Sequence, residues 1–355
     1  MTLTVDTAAG IWDAQPGYLN TSSFGLPPRP AWDALQQALS DWRTGRTSWE
    51  GWASAVDESR SLFAGLVGAD PASVATGASV SQLLAPVGAA VADGATVLVP
   101  DVEFTSNVFP WAVHADRGVT VRTAPVDGFV EAITPDVDVV AWSAVQSATG
   151  EPADGAAIAA AARAVGALTV VDATQSAGWL PVTAGEVDLL VVTAYKWLCS
   201  PRGTGFLVLD PSLERRHPAF ATRLKPLAAN WFAGESVHDS YYGMPLRLSA
   251  DARRFDISPA WHCWVGTAPA LRLLGEIGVD AIGAHNVRLA NEFLAGMDQP
   301  ASNSAIVSVP ADAAAVERLH AAGVRFGVRA GRVRVAFHLY STPADVDLAV
   351  RALRG

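Results

Sequence analysis

Two short apolar runs within residues 168–196 constrain the fold of this chain most, because each delivers a chemically usable side chain at its end. The first, LTVV, runs into Asp172, and the second, VDLLVVTA, runs into Tyr195 and Lys196. Unbroken apolar and β-branched runs of this length are the pattern of strands buried on both faces of a sheet. In open α/β sheets, ligands collect at the carboxyl ends of such strands. The alternation of strand, helix and strand along the chain predicts a mainly parallel sheet with right-handed crossovers.

A carboxylate and an amine on one sheet edge fit pyridoxal phosphate (PLP). Its aldehyde requires a lysine amine for a Schiff base, and its ring nitrogen requires a carboxylate to stay protonated. Lysine usage points the same way: of 25 Lys plus Arg, only Lys196 and Lys225 are lysines. Arginine does not form a Schiff base, so a lysine kept at the end of a buried strand stands apart from the solvating cations. A lysine that snorkels from a strand end is the plainer alternative.

Composition narrows the classes further. A length of 355 residues, half of them hydrophobic and 17% charged, predicts a globular protein of two domains. The net charge of −10, without a cluster of Lys or Arg among aromatics, argues against a nucleic-acid partner. The opening MTLTVDTAAGIWDA lacks the basic and apolar regions of a secretory signal, and no apolar run approaches a membrane span, so a cytoplasmic protein is expected. Cys199 and Cys263 are too few for a disulfide framework and lack metal-ligand spacing, and the seven histidines are scattered; reduced thiols and no metal are expected.

The segments VVDATQSAG and DLLVVTAYKWLCSPRGTGFLVL resemble the active-site core of the class V aminotransferase family of fold-type I PLP enzymes. That family includes cysteine desulfurases, kynureninases and isopenicillin N epimerase-like proteins. The resemblance covers nearly the whole chain. It implies an α/β fold with a seven-stranded-type, mainly parallel sheet in a large domain and a smaller α+β carboxy-terminal domain. The boundaries read as an amino-terminal segment over 1–21 that packs near the active site, a PLP-binding domain over 22–270 and a small domain over 271–355. Within the motif, Asp172 pairs with the pyridine nitrogen, Gln175 contacts the phenolic oxygen and Lys196 carries the cofactor. Thr193 and Tyr195 bring hydroxyls toward the phosphate, and Arg202 either joins them or shapes its loop.

Other stretches fill out the constellation. VATGASVSQLL, from Val74, reads as a strand end, a small-residue turn and a helix start, a form that suits a phosphate. In the family this turn holds the cofactor phosphate, on Gly77, Ala78 and Ser79; Ser81 read as a simple N-cap is the alternative. Phe104 matches the ring stacked on the pyridine, against the alternative of a core phenylalanine. Cysteine desulfurases usually have His there, so acid–base work falls to Lys196 or a substrate-side group. Where relatives often carry Asn, this chain has Gln146 and Ser147, with Ser147 the candidate contact. The aperiodic stretch over 225–243 reads as a loop near a site, with Asn230 and Trp231 as candidates. RRFDISP resembles the RFE motif and assigns Ser258 to the phosphate of a neighbouring subunit, which implies a homodimer with shared sites. VRVAFHLYSTPADVDLAVRAL matches the carboxy-terminal strand and helix and puts Arg334 on the substrate α-carboxylate, a job for a planar fork. Arg325 and Arg329 are alternatives.

Further expectations concern packing. A helical region is expected over 31–66, and a long helical link from Leu271 to Leu294. Trp42, Trp49 and Trp52 are expected to pack in the core, with a substrate approach or a subunit contact as the alternative.

The implied chemistry is an amino acid bound as an external aldimine, with loss of its α-proton to Lys196. Reprotonation or loss of a β-substituent then divides transamination, racemisation and elimination. GVRFGVRAGRVRV, where a desulfurase would carry its persulfide cysteine, contains none. A C–S lyase-like β-elimination is therefore placed first, a class V aminotransferase second and epimerase or kynureninase activity after them. A non-catalytic PLP-binding regulatory module is the alternative from another class.

Overall fold

The computed structural model describes residues 3–355. Seven strands build the main sheet: β1 (Val74–Gly77), β2 (Thr96–Pro100), β3 (Thr120–Ala124), β4 (Val139–Ser143), β5 (Leu168–Asp172), β6 (Leu189–Thr193) and β7 (Gly205–Leu209). Their order is β1-β7-β6-β5-β4-β2-β3. All run the same way except β7, which is antiparallel to both neighbours. β4, β5, β6 and β7 are buried along their whole length. That is the burial expected of a sheet covered on both faces, and it explains why these strands read as continuous apolar runs.

The two faces pack into separate cores. One contains Phe63, Trp142, Val192 and Phe206, and the other Leu84, Val99, Val170 and Leu207. Trp49–Val67 lies on the first face, and its Phe63 stacks on Phe206 with ring centroids 4.2 Å apart. The helical region expected over 31–66 is two helices, Arg29–Thr44 and Trp49–Val67, separated after a left-handed Gly45. Core packing holds for none of the three tryptophans: Trp49 and Trp52 are only half-buried, and Trp42 is 61% exposed. Its helix buries only Ala31 and Ala38.

A second, three-stranded antiparallel sheet, ordered β8-β10-β9, is built from β8 (Ile306–Pro310), β9 (Gly327–Arg329) and β10 (Arg332–Ala336). Val333 and Val335 face a third core with Leu319, Phe293 and Leu353. The single helix expected from Leu271 to Leu294 is instead two, Trp261–Ile277 and Val279–Gly296. Gly278, with φ 90°, turns the chain between them, a conformation that only glycine adopts without strain. The amino-terminal segment bridges to the small sheet, Tyr18 to Arg325 and Asn20 to Ala336. Among the described residues, no helix is long and apolar enough to cross a membrane.

Candidate active site

Strand register sets the site. Ser143 lies opposite Asp172, and Gly77 and Thr193 both lie opposite Gly205, so four strands end along one edge. Above that edge lies a cavity of about 350 Å³ lined by Ala78, Ser79, Phe104, Ser147, Asp172, Gln175, Thr193, Tyr195, Lys196 and Arg202, among others. Segments that are distant in sequence therefore converge on a volume typical of small-ligand sites.

The cavity floor is electrostatically unusual. Lys196 is 7% exposed and Asp172 4%. Burial lowers the Lys196 pKa to about 8 against the opposing pull of Asp172, and Arg334, Arg329 and Arg202 push it the same way as burial. Burial raises Asp172, while the Thr174 N–H, donated to its Oδ1 at 2.8 Å, and the charge of Lys196 hold it down. A buried amine that reaches neutrality near pH 8, beside a buried carboxyl that gains from a cationic partner, is a donor set that fits an aldehyde and a protonated ring nitrogen. Nζ of Lys196 lies 5.5 Å from the centroid of the Phe104 ring, which is 45% exposed. Phe104 is thus a wall of the cavity and not a core phenylalanine.

At the other end, Ser79 caps the helix Val80–Ala90, its hydroxyl accepting from the Gln82 N–H at 3.3 Å. The cap falls there and not on Ser81, because the chain is still extended at Ser79. Gly77 leaves room for the Gln82 and Leu83 side chains, which a Cβ would strike. Gln82 Oε1 accepts the Ala78 N–H at 3.0 Å. Arg202 stacks on Tyr195, its guanidinium carbon 4.5 Å from the ring centroid.

Gln175 donates to the Ser22 carbonyl at 2.9 Å and to Ser147 Oγ at 3.1 Å, and accepts from the Trp197 indole at 3.0 Å. Ser147 also receives Arg334, through its carbonyl and, at 3.2 Å, its hydroxyl; Arg334 reaches Ser23 Oγ at 3.1 Å as well. Arg334 is 1% exposed, its Nε has no hydrogen-bond partner, and burial lowers its pKa to about 10. A buried guanidinium that meets only neutral groups is poised for an anion.

Gly77 and Arg334 adjoin the lining, next to Ala78 and through Ser147, without lining the cavity themselves, and three candidates lie elsewhere. Asn230 caps a short turn, accepting from Phe232 N–H at 2.9 Å and donating to the carbonyls of Ala228 and Asp256. Trp231 packs among Trp49, Phe232, Tyr241 and Trp261. Neither lines the cavity of its own chain, and nor does Ser258, which is exposed.

Other residues carry the site without an obvious sequence signal. Glu103 is buried under the cavity and accepts from the Phe104 N–H at 2.8 Å, the Ser143 N–H at 2.7 Å and the Ser143 hydroxyl, which fixes Phe104. His338 accepts the Leu339 N–H at Nδ1, so Nε2 carries the proton and donates to the Trp197 carbonyl at 3.0 Å. Burial lowers His338 to about 4, so it pins the loop after Lys196 as a neutral ring. Asp256 takes Arg60 at 2.6 Å and the Thr76 N–H at 2.7 Å, bracing β1 beneath the small-residue turn.

Comparison with known proteins agrees with this geometry. A family model described as Aminotransferase class-V matches residues 28–319. An uncharacterised aminotransferase, YcbU of Bacillus subtilis, is 32% identical over 67% of this chain; the match spans 64% of that protein's length, a little under two thirds. The isopenicillin N epimerase of Streptomyces clavuligerus is 26% identical over 83% of each chain. The solved complex of the cystine C–S lyase C-DES with its product cysteine persulfide superposes with a TM-score of 0.84 at 20% identity, over 96% of this chain and 98% of that one. The fold is that of a fold-type I PLP enzyme, and the chain belongs to the class V aminotransferase family of PLP-dependent enzymes.

Proposed function

We propose that this enzyme acts on an α-amino acid and expels a substituent from its β-carbon, as a C–S lyase does. The observation that carries the reading is the meeting of Lys196 and Asp172 in one cavity whose wall holds no thiol, with an anion-seeking Arg334 bonded just behind that wall to Ser147. Bound PLP supplies an electron sink for the charge that develops at Cα. The chain does the rest. Asp172 keeps the ring nitrogen protonated, and Phe104 covers the ring and excludes water from it. Ala78, Ser79, Thr193, Tyr195 and Arg202 take the phosphate at the helix start, and Gln175 and Ser147 take the phenolic oxygen. Arg334 binds the substrate α-carboxylate with two parallel donors. Lys196, as the neutral amine, removes the Cα proton, since Phe104 offers no titratable group.

Neither Cys199 nor Cys263 lines the cavity, which favours direct elimination over persulfide transfer to the protein. Transamination is the second reading, favoured by the likeness to an uncharacterised aminotransferase. Epimerisation has the support of likeness to an epimerase alone. A homodimer belongs to the proposal: exposed Ser258 then faces a neighbouring subunit, and exposed Leu227, Tyr242, Met244 and Leu246 supply apolar contact. Two unpaired thiols favour the cytoplasm.

The test is incubation with cysteine S-conjugates in the absence of a keto-acid acceptor. Release of pyruvate and ammonia over many turnovers supports the lyase. A single turnover that leaves the cofactor in its amine form makes this chain a transaminase.

A further inference from the structure

The cations around the cavity outnumber the anions that the proposed reaction offers them. Arg202 lines the cavity, Arg334 reaches its lining at Ser147, and both, with Arg329, hold the Lys196 pKa down. None of the three forms an ion pair with a carboxylate among the described residues. On the reading above, Arg202 has the phosphate and Arg334 the α-carboxylate. Arg329 is left without an anion.

Register says where Arg329 points. β9 and β10 pair Gly327 with Arg334 and Arg329 with Arg332. Side chains alternate along a strand, so Arg329 shares its face of the small sheet with Arg334, as its diagonal neighbour, at about 7 Å between Cβ atoms. Gly327 leaves the space between them open; a Cβ there would stand 3.5 Å from Arg334 Nη2. Arg332, on the same face, is tied to Ser308 through Nε at 3.2 Å and Nη2 at 2.9 Å. Arg329 instead is exposed and bonds its neighbour's carbonyl, Val328, at 2.8 Å. The hairpin that presents it is set by Ala330 and Gly331, both left-handed at φ 46° and 72°. The result is a held but unpaired guanidinium one step outward from the α-carboxylate site.

We propose that Arg329 is a specificity residue that binds a second anionic group at the end of the substrate's side chain. The substrate class is then amino acids with an acidic side-chain terminus. This inference rests on the proposed function, which gives Arg334 its carboxylate.

The test compares two near-isosteric probes on the PLP-loaded enzyme, S-carboxymethyl-L-cysteine and its neutral amide, S-carbamoylmethyl-L-cysteine. The wild type is expected to favour the acid by about tenfold in kcat/KM, mostly through KM, and less at high salt. Arg329→Gln should bring that ratio close to one by weakening only the acid. Arg329→Glu should turn the preference toward S-(2-aminoethyl)-L-cysteine, a gain that a misfolded variant does not produce. Equal use of acid and amide by the wild type overturns the inference while leaving the reaction intact. So does an Arg329→Gln variant that weakens both probes alike, which would put Arg329 on the α-carboxylate. If neither probe changes the absorption of the bound cofactor, the proposed function fails and this inference falls with it.

Discussion

Gly25 presses the amino-terminal segment onto the backbone of Lys196, and adding a single methyl there tests whether that contact sets the site. The Gly25 N–H donates to the Tyr195 carbonyl at 2.8 Å. A Cβ at Gly25 would overlap the Lys196 carbonyl oxygen and lie 3.1 Å from its carbon and 3.2 Å from Cys199 Cα. All three neighbours are backbone atoms, so no flexible side chain can yield. Relief takes a shift of about 1.5 Å, given that non-bonded heavy atoms settle near 3.5 Å. Overpacking of this kind costs about 1–3 kcal/mol, and a misplacement of about 1 Å at a reacting group costs on the order of a hundredfold in rate. Gly25→Ala is therefore expected to unfold at a lower temperature and to lose about two orders of magnitude in kcat at matched cofactor loading. Gly51→Ala is the control: it lies in the helix Trp49–Val67 with nothing within 4 Å of its Cβ. It should gain roughly 0.5–1 kcal/mol and keep its turnover. The assays are thermal unfolding and pyruvate release from S-carboxymethyl-L-cysteine. A Gly25→Ala enzyme with wild-type stability and kcat would refute the reasoning.

Asp256→Ala leaves the buried Arg60 with only the exposed Asp57, at 3.7 Å, for a carboxylate and is expected to cost about 3 kcal/mol in denaturant unfolding; because Asp256 also holds the Thr76 N–H, phosphate affinity should fall too. Cofactor loading should accelerate as pH rises through about 8, because condensation needs the neutral Lys196 amine. Stopped-flow absorbance should show that midpoint move down in Asp172→Asn, since Asp172 is the charge that favours the ammonium. Acid stability should report Asp188: burial alone would raise it, but hydrogen bonds from His217 and Thr169 hold it at about 2. A depressed folded pKa stabilises above the unfolded value of 3.8 and is lost as pH falls toward 2. Asp188→Asn should flatten that part of the acid-unfolding curve, by an amount on the order of 1 kcal/mol after solvent screening.

Much of the site was legible because the sheet brings strand ends to one edge, so a polar residue closing an apolar run is marked by position. Asp172, Lys196 and Thr193 carry that mark, and Gly77, Ala78 and Ser79 carry the small-residue signature of a strand-to-helix turn. The direction of β7 was not legible, since a five-residue apolar strand reads the same both ways. Gly278 carries no mark of its own, because one glycine within helical spacing does not by itself announce a break. Asn230 and Trp231 were chosen from an aperiodic stretch, and their side chains are spent on a turn cap and an aromatic cluster. Glu103 and His338 act through partners 40 and 141 residues away, Ser143 and Trp197, and no local pattern marks such contacts. Arg329 became distinct from its neighbours only once the register of β9 and β10 gave it a face.

Lys196 is proposed to hold the cofactor, and the scarcity of lysine lets one experiment test it directly. Only Lys196 and Lys225 are lysines, and Lys225 does not line the cavity. The PLP-loaded protein should be reduced with borohydride, digested and mapped by mass spectrometry. A stable pyridoxyl adduct is expected on the peptide that carries Lys196, absent from Lys196→Ala. An adduct on Lys225 alone, or none on a protein that retains bound cofactor, would contradict it.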